Sequence, residues 1–311
     1  MASEPTHDPA PAPGIRPGSS AGAQPVIAAV TPEAIAAFDR DGVVCLRGAL
    51  DPDLLRAMEQ PVEVALASRA MADLSEMGRH LAEAGQTVLA DGESRGRFAS
   101  GVDHWRQQPE FAEFACRSRL PGIVAAILRS EALWLYEDSV LVKEPGAAER
   151  TAWHQDLGYF HVDGEQLATT WCPLDAVTAG TGAVRYVRGS HRWATQYKPN
   201  LFVSPLAIPG TIGEDVPDID ALAAAGGCEV LTFDTRPGDV VIHHARTLHA
   251  AGGNRSATIR RRAISVRYCG DDAHTLLRPG APRKPHQETW TDGRPLDPAE
   301  HPLVWPPDAT R

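Results

Sequence analysis

The chain has 311 residues, of which 43% are hydrophobic, so it is long enough for one large or two smaller domains with a substantial core. It carries 30 Lys and Arg against 40 Asp and Glu, a formal net charge of −10, which argues against broad binding to a nucleic-acid backbone. No apolar run approaches the roughly 20 residues of a membrane-spanning helix. The N-terminus lacks the basic-then-apolar pattern of a secretory signal. We expect a soluble protein that binds neither nucleic acid nor membranes.

The cysteines indicate the redox environment. The chain has five, an odd number, and they are widely spread. None belongs to a CxxC pair, so the sequence predicts neither a disulfide framework nor a zinc knuckle. We expect reduced thiols in a cytoplasmic protein.

The N-terminal segment has the composition of a disordered tail. Of residues 1–25, 17 are Ala, Pro, Gly or Ser, without an apolar period. Order is predicted from Val26 onward. Thr31 and the following proline are typical of a helix start, and a second start is predicted at Asp51. Between them, residues 43–46 form an apolar run typical of a buried strand.

From about residue 130, short β-rich runs alternate with turn signals. Many short strands of this kind predict a mainly β fold, a sandwich or barrel, with flanking helices. The predicted strands are residues 133–136, 140–143, 169–172, 183–187, 229–233, 239–243 and 263–268.

Three longer segments complete the organisation of the chain. Residues 199–227 form a long Pro- and Gly-containing insert, which with residues 71–100 is predicted to act as a lid that sets specificity. Residues 277–311 are Pro-rich and predict an extension that wraps the surface irregularly. The predicted catalytic domain is therefore residues 26–276.

One short motif carries chemistry. His154 and Asp156 stand at positions i and i+2, so on an extended strand their side chains leave the same face and can converge on one ion. A third ligand must come from elsewhere, and residues 238–256 supply several histidines, among them His249. Two histidines and one carboxylate on one side of a metal describe the facial triad of non-haem iron(II) oxygenases. Its open positions accept a bidentate cosubstrate and dioxygen, whereas a structural zinc site leaves none.

Three consecutive arginines, Arg260 to Arg262, follow His249 and lead into an apolar strand. They are either a solvated charge run or include one arginine that enters the fold near the metal. An arginine in that place can clamp the distal carboxylate of a 2-oxo diacid through two parallel hydrogen bonds.

Together these blocks resemble the phytanoyl-CoA dioxygenase family of Fe(II)/2-oxoglutarate-dependent oxygenases. The resemblance runs from about residue 30 to 270 and includes the opening segment 36–44. It implies a double-stranded β-helix (jelly roll, cupin-like) with helices packed outside. The matching blocks are residues 153–160 (WHQDLGYF), 170–175 (TWCPLD), 189–193 (GSHRW), 248–256 (LHAAGGNRS) and 261–265 (RRAIS).

The resemblance assigns roles position by position. It implies that His154, Asp156 and His249 hold the iron, and it brings Trp171 and Lys143 beside 2-oxoglutarate.

The arginine that holds 2-oxoglutarate has two candidates. The spacing from His249 that is usual in this family selects Arg260. Counting back from the Ala-Ile-Ser block selects Arg261 instead. Strand alternation favours Arg261, which shares a face with Ala263 and with Ser265, itself an expected contact of the cosubstrate.

Several other side chains have two interpretations. His243 and His244 are adjacent, so at most one faces the barrel interior, and ligation by either is the less favoured interpretation. His191 is expected in a turn or behind the ligands. Tyr159 and His161 either line the substrate mouth or belong to a packed loop. Three further arginines either anchor an anionic substrate or are ordinary surface residues: Arg95, Arg97 and Arg185.

The expected function is Fe(II)-, 2-oxoglutarate- and O2-dependent hydroxylation of an unactivated C–H bond in a small molecule, in bacterial natural-product biosynthesis. The same ligands also serve epimerisation, desaturation and cyclisation. Two further hypotheses are a non-catalytic jelly-roll binding protein and a closed zinc site, or cupin-like isomerase, that uses His243 or His244. The sequence determines neither the substrate nor the oligomeric state.

Overall fold

The computed structural model describes residues 30–307, so the predicted tail at residues 1–25 lies outside the described residues. Between residues 30 and 307 no helix is long and apolar enough to cross a membrane. The α-helices are α1 (Pro32–Asp41), α2 (Pro52–Ala57), α3 (Glu59–Leu66), α4 (Leu74–Glu83), α5 (Pro109–Arg117), α6 (Leu120–Leu128) and α7 (Ile219–Ala224).

The strands form one large sheet, one smaller sheet and a short ribbon. They are β1 (Val43–Leu46), β2 (Met71–Asp73), β3 (Phe98–Val102), β4 (Leu133–Lys143), β5 (Thr151–His154), β6 (Val162–Asp163), β7 (Leu167–Pro173), β8 (Val184–Val187), β9 (Val230–Thr232), β10 (Val240–His244), β11 (His249–Ala251), β12 (Arg261–Cys269), β13 (His274–Thr275) and β14 (Leu303–Trp305).

Antiparallel pairing builds all three sheets. The large sheet has the order β1-β10-β7-β12-β4-β3-β2, with β14 also paired to β4. The smaller sheet has the order β5-β11-β8-β9, and β6 pairs with β13. The two main sheets pack face to face, because Trp171 and Ala263 of the large sheet share one buried cluster with Tyr186 of the smaller sheet. The expected mainly β fold with flanking helices is confirmed.

The helices cover the outer face of the large sheet. Phe38 of α1, Phe111 of α5 and Ile123 of α6 pack in one core with Ile264 and Val266 of β12. Because successive side chains of a strand point to opposite faces, the alternate residues of β12 are left for the space between the sheets.

The predicted helix starts agree with the structure. Thr31 accepts a hydrogen bond from the amide of Ala34, and α1 ends at Gly42, whose φ of 75° suits a residue without a side chain. Asp51 caps α2 in the same way.

Two expectations differ from the structure. The predicted strands at 133–136 and 140–143 are one strand, β4, because Glu137 and Ser139 keep the extended backbone and line a cavity. The C-terminal extension is not wholly irregular, since β14 pairs with β4.

The insert at 199–227 contains α7, whose Ile219 is buried against the smaller sheet.

The division of β12 into a helix-facing side and a cavity-facing side predicts a large stability difference between two isoleucines. Ile264 is 0% exposed and Ile259, just before β12, is 47% exposed. We expect Ile264→Ala to lower the free energy of unfolding by about 2–5 kcal/mol, because it leaves a cavity in the core. Ile259→Ala is the matched control and should change it by less than about 0.5 kcal/mol. Urea unfolding measures both, and equal losses would contradict this description of the core.

Candidate metal centre

The pairing of β5 with β11 brings together two distant histidines. His249, the first residue of β11, lies directly opposite His154, the last residue of β5. Their ring centroids are 4.2 Å apart. A single pair of strands thus brings together two histidines that are 95 residues apart in the chain.

Asp156 reaches the same place from a turn. The sequence predicted that Asp156 continues the extended strand of His154. In the structure, Asp156 instead begins a 3₁₀ helix, Asp156–Tyr159. Gln155 between the two ligands keeps an extended backbone, with φ −103° and ψ 136°, so His154 and Asp156 still leave on the same side. Gln155 points away, and its amide group donates to Arg246 O and accepts from Tyr197 N.

The distances suit one metal ion. Nε2 of His154 and Nε2 of His249 lie 3.7 Å and 3.6 Å from Oδ1 of Asp156. The ligand atoms of the three residues all lie within 4.8 Å of one another. An ion with bonds of about 2.1 Å keeps neighbouring ligand atoms about 3 to 3.4 Å apart, so each histidine nitrogen would have to approach Oδ1 of Asp156 by roughly 0.2 to 0.7 Å.

Backbone carbonyls select the ring nitrogen that each histidine presents. Nδ1 of His154 donates to Ala152 O at 2.8 Å, and Nδ1 of His249 donates to Thr247 O at 2.9 Å. Because a carbonyl oxygen only accepts, Nε2 of each ring carries the lone pair. Burial lowers the pKa of His154 to about 3 and that of His249 to about 4, so both rings are neutral near pH 7.

The carboxylate of Asp156 is oriented from the large sheet. Its Oδ2 accepts a hydrogen bond of 2.6 Å from Oγ1 of Thr169 and lies 3.3 Å from Nε2 of His243. Burial alone would raise the pKa of Asp156, but the neighbouring His249 and His243 hold it well below its usual value. Oδ1 is therefore left ionised and directed at the two ligand histidines.

His243 and His244 face opposite ways, as the strand alternation predicts. His243 contacts the oxygen of Asp156 that points away from the other two ligands, so it supports the carboxylate and is not part of the three-residue cluster. His244 is on the other face, where Nε2 donates to Glu165 O and Nδ1 accepts from Arg246 N. This arrangement gives no support to a closed zinc site with a third histidine as the fourth ligand.

Arg261 is a buried cation beside the metal-binding residues. It is 1% exposed and lines a small cavity of about 50 Å³ together with His154, Asp156 and His249. Within residues 30–307, its Nε has no hydrogen-bond partner. Burial lowers the pKa of Arg261 to about 10, which leaves it charged near pH 7. A buried guanidinium of this kind is stabilised by an anionic ligand.

Arg260 lies outside this inner cavity. Its guanidinium forms ion pairs with Glu63 and Glu144, each at 2.7 Å, on the helix-covered side of β12. The two arginines therefore point to opposite sides of the strand, and only Arg261 reaches the cluster of ligands.

The remaining expected cosubstrate contacts differ in position. Trp171 and Ser265 line the inner cavity, and the Trp171 ring lies 5.9 Å from the guanidinium carbon of Arg261. Lys143, opposite Arg261 in the β4–β12 pairing, is not among the lining residues. Its ammonium group donates to the backbone carbonyls of Glu149 and Gly252, at 2.7 Å and 2.6 Å.

Sequence reasoning missed Arg267. It lines both the inner cavity and a larger outer cavity, and its Nη1 donates to Ser139 Oγ at 2.6 Å. The alternation that joins Arg261 with Ala263 and Ser265 continues to residue 267, so the signal was present in the strand pattern.

The outer cavity, about 430 Å³, opens beside His154 and Asp156. Both predicted lids contribute, residues 71–100 through Leu74 and others, and residues 199–227 through Phe202. The Phe202 ring lies 5.3 Å from that of His154, and its φ is 65°, an uncommon value for a residue with a side chain.

The residues with two interpretations divide as follows. Tyr159 lines the outer cavity and donates to Asn200 O. His161 is fully buried in a packed loop, where Nδ1 accepts from Arg278 N. His191 is in a turn next to Asp39. The arginines Arg95, Arg97 and Arg185 form ion pairs with Glu93, Asp73 and Asp220.

Comparisons with known proteins agree with this geometry. The chain is 32% identical over 147 residues to a probable alpha-ketoglutarate-dependent hypophosphite dioxygenase of Stutzerimonas stutzeri, a match covering 47% of this chain and 49% of that protein. The chain thus spans about half the length of this relative. It is 22% identical over 247 residues to dioxygenase cdmD of Talaromyces verruculosus, which covers 75% of this chain and 72% of that protein.

Solved structures share the fold. The non-heme alpha ketoglutarate dependent carbocyclase SnoK from nogalamycin biosynthesis has a TM-score of 0.63 at 24% identity, covering 91% of this chain and 100% of SnoK. EctD from S. alaskensis with 2-oxoglutarate and 5-hydroxyectoine has a TM-score of 0.60 at 20% identity, covering 86% of each chain. The expected jelly roll is confirmed by these neighbours.

The family expectation is tested by a family model. The model described as phytanoyl-CoA dioxygenase (PhyH) matches residues 38–263, which include all three ligands of the metal centre and Arg261. Because this match covers well over half of the chain, the protein belongs to the phytanoyl-CoA dioxygenase family of iron(II)- and 2-oxoglutarate-dependent oxygenases.

Proposed function

We propose that this protein is an iron(II)- and 2-oxoglutarate-dependent dioxygenase that hydroxylates an unactivated C–H bond of a small molecule. The observation that carries the proposal is the cluster of His154, Asp156 and His249, whose ligand atoms lie within 4.8 Å of one another. A buried cation, Arg261, lines the same cavity. A metal site beside a buried guanidinium fits a bidentate 2-oxo acid with a second carboxylate.

The residues present fit both groups. Nε2 of His154, Nε2 of His249 and Oδ1 of Asp156 would hold the iron, and Arg261 would bind the distal carboxylate of 2-oxoglutarate, with Trp171 beside it. Bound iron(II), 2-oxoglutarate and O2 supply a strong oxidant for a C–H bond, while 2-oxoglutarate is converted to succinate and CO2.

The protein contributes orientation and exclusion of water. Thr169 and His243 hold Oδ2 of Asp156, so that Oδ1 stays directed at the metal position. Ser265 lines the inner cavity, and its hydroxyl donates to Thr170 O, which holds the side chain in place beside the proposed cosubstrate. Lys143 has a different task from the one the resemblance implied. It ties the chain before β5 to the chain after β11 through two carbonyls, and this fixes the spacing of the ligand strands.

The outer cavity supports a small-molecule substrate. Its volume of about 430 Å³ falls in the usual range for small-molecule sites. Natural-product biosynthesis in a bacterial cytoplasm is the setting we propose, in line with the nogalamycin-pathway enzymes that share the fold.

The same metal chemistry also permits other outcomes. Two proteins that share the fold are named as a carbocyclase and an epimerase. Product mass therefore decides the reaction type: a gain of one oxygen means hydroxylation, a loss of two hydrogens means desaturation or ring closure, and no change means epimerisation.

Anaerobic titration tests the proposal before any substrate is identified. Adding Fe(II) and then 2-oxoglutarate should produce a weak visible charge-transfer band that His154→Ala abolishes. A substrate screen scored by succinate release and product mass then gives the reaction. A chain that forms no band and releases no succinate with any substrate would instead be a non-catalytic jelly-roll binding protein.

Because the two neighbouring arginines point in opposite directions, the same substitution is expected to weaken cosubstrate binding at only one of them. We expect Arg261→Gln to weaken 2-oxoglutarate binding by about 100-fold or more, because each charge-assisted hydrogen bond contributes about 1.5–3 kcal/mol. Arg260→Gln is the matched control and should leave the affinity unchanged, since Arg260 is paired with Glu63 and Glu144. The charge-transfer titration measures both. A larger effect at residue 260 would reverse the assignment.

The hydrogen bond from Thr169 to Asp156 predicts a second pair of outcomes. Thr169→Val keeps the shape of the side chain but removes the donor, so we expect Fe(II) affinity to fall about 10- to 100-fold. Thr170 is the next residue of the same strand, and its Oγ1 donates to Val266 O on the other face. Thr170→Val should therefore retain the Fe(II) affinity of the parent protein. Competitive titration with a coloured chelator measures the two constants, and equal affinities would refute the orienting role of Thr169.

A further inference from the structure

A second group of potential metal ligands lies in the C-terminal segment, apart from the first. His286, Glu300 and His301 offer ligand atoms that all lie within 4.8 Å of one another. None of the three lines the inner or the outer cavity. The iron and 2-oxoglutarate chemistry of the first site does not use them.

Two ring nitrogens in this group are buried without a partner. Within the described part of the chain, neither Nε2 of His286 nor Nε2 of His301 has a hydrogen-bond partner. His301 is 1% exposed, so its unpaired nitrogen is also shielded from water. Burial lowers the pKa of His301 to about 4, which keeps its ring neutral near pH 7. A buried nitrogen without a partner is costly unless something binds to it.

The remaining polar atoms of His301 and Glu300 are hydrogen-bonded in the way that is typical of metal-ligating side chains. Nδ1 of His301 donates to Leu135 O at 3.1 Å, which leaves the lone pair on Nε2. This is the arrangement found at both histidines of the first site. Nε1 of Trp290 donates to Oε2 of Glu300 at 2.6 Å, so Oε1 is the carboxylate oxygen left for an ion.

The charged side chains beside this group are paired with one another. Two positive side chains lie close by: Arg106 donates to Glu300 O at 2.6 Å, and Lys284 is paired with Asp103 and Glu137 at 2.8 Å and 2.5 Å. Arg106 is also 4.0 Å from Asp103. Glu137 is also paired with Arg267 at 3.6 Å, so with Glu300 counted the three carboxylates balance the three cations.

We propose that His286, Glu300 and His301 form a second metal site, which takes a divalent transition metal of the zinc class. Two imidazole nitrogens and one carboxylate oxygen are a donor set that zinc prefers, with water in the fourth position. The ion joins residue 286 to residues 300 and 301, directly before β14. It thereby ties the Pro282–Lys284 wall of the outer cavity to the edge of the large sheet.

The test requires a chain in which the first site is disabled. In tag-free His154→Ala/His249→Ala protein, we expect about one Zn²⁺ per chain to remain after dialysis against excess Zn²⁺ and then against metal-free buffer, measured by elemental analysis. Adding His286→Gln should remove most of that zinc. His274→Gln is the matched control, because His274 is exposed and close in the chain, and it should retain the full equivalent.

A second measurement covers variants that fold poorly. In the same background, Zn²⁺ should raise the melting temperature by about 4 °C or more, and Glu300→Gln should abolish the rise. Co²⁺ should give the visible spectrum of a four-coordinate ion only when residue 286 is histidine. The proposal is overturned if the doubly substituted chain retains no zinc, or if His286→Gln and Glu300→Gln retain as much as the control. Neither result depends on the first site.

Discussion

The pairing of β5 with β11 is the contact on which the metal centre depends. It sets His154 directly opposite His249 and thereby closes a long chain separation at one point. The backbone carbonyls of Ala152 and Thr247, two residues before each histidine, then direct both Nε2 atoms toward Asp156. Lys143 strengthens this frame, because its ammonium group bonds to carbonyls on the chain leading into β5 and on the chain leaving β11. Burial removes this group from water and lowers the pKa of Lys143 well below its usual value, while two carbonyl oxygens accept its hydrogen bonds.

The second organising feature is the alternation along β12. Ile264 and Val266 belong to the core beneath the helices, whereas Arg261, Ser265 and Arg267 line the cavities. One strand therefore both supports the fold and supplies the groups that face the ligands. The arginine triplet illustrates this, since Arg260 is held by acidic side chains outside, whereas the Nε atom of Arg261 has no hydrogen-bond partner among residues 30–307.

Much of this could be predicted from local pattern. Strand alternation separated Arg261 from Arg260, and the spacing of His154 and Asp156 indicated a shared side even though Asp156 begins a 3₁₀ turn. What the sequence did not reveal depends on contacts between distant segments. The orientation of Lys143, the pairing of β14 with β4 and the meeting of His286 with His301 are set by tertiary packing. The histidines of the C-terminal segment have no spacing that is typical of metal ligands, so the sequence alone does not predict a site there.

Phe202 connects the insert to both cavities, because it lines each of them. Its ring lies against His154, its backbone has an unfavourable positive φ, and Asn200 two residues earlier is bonded to Trp153 O and Tyr159. A replacement in the insert that moves Phe202 would therefore also change the surroundings of His154, so the shape of the outer cavity is mechanically coupled to the strand that bears this ligand.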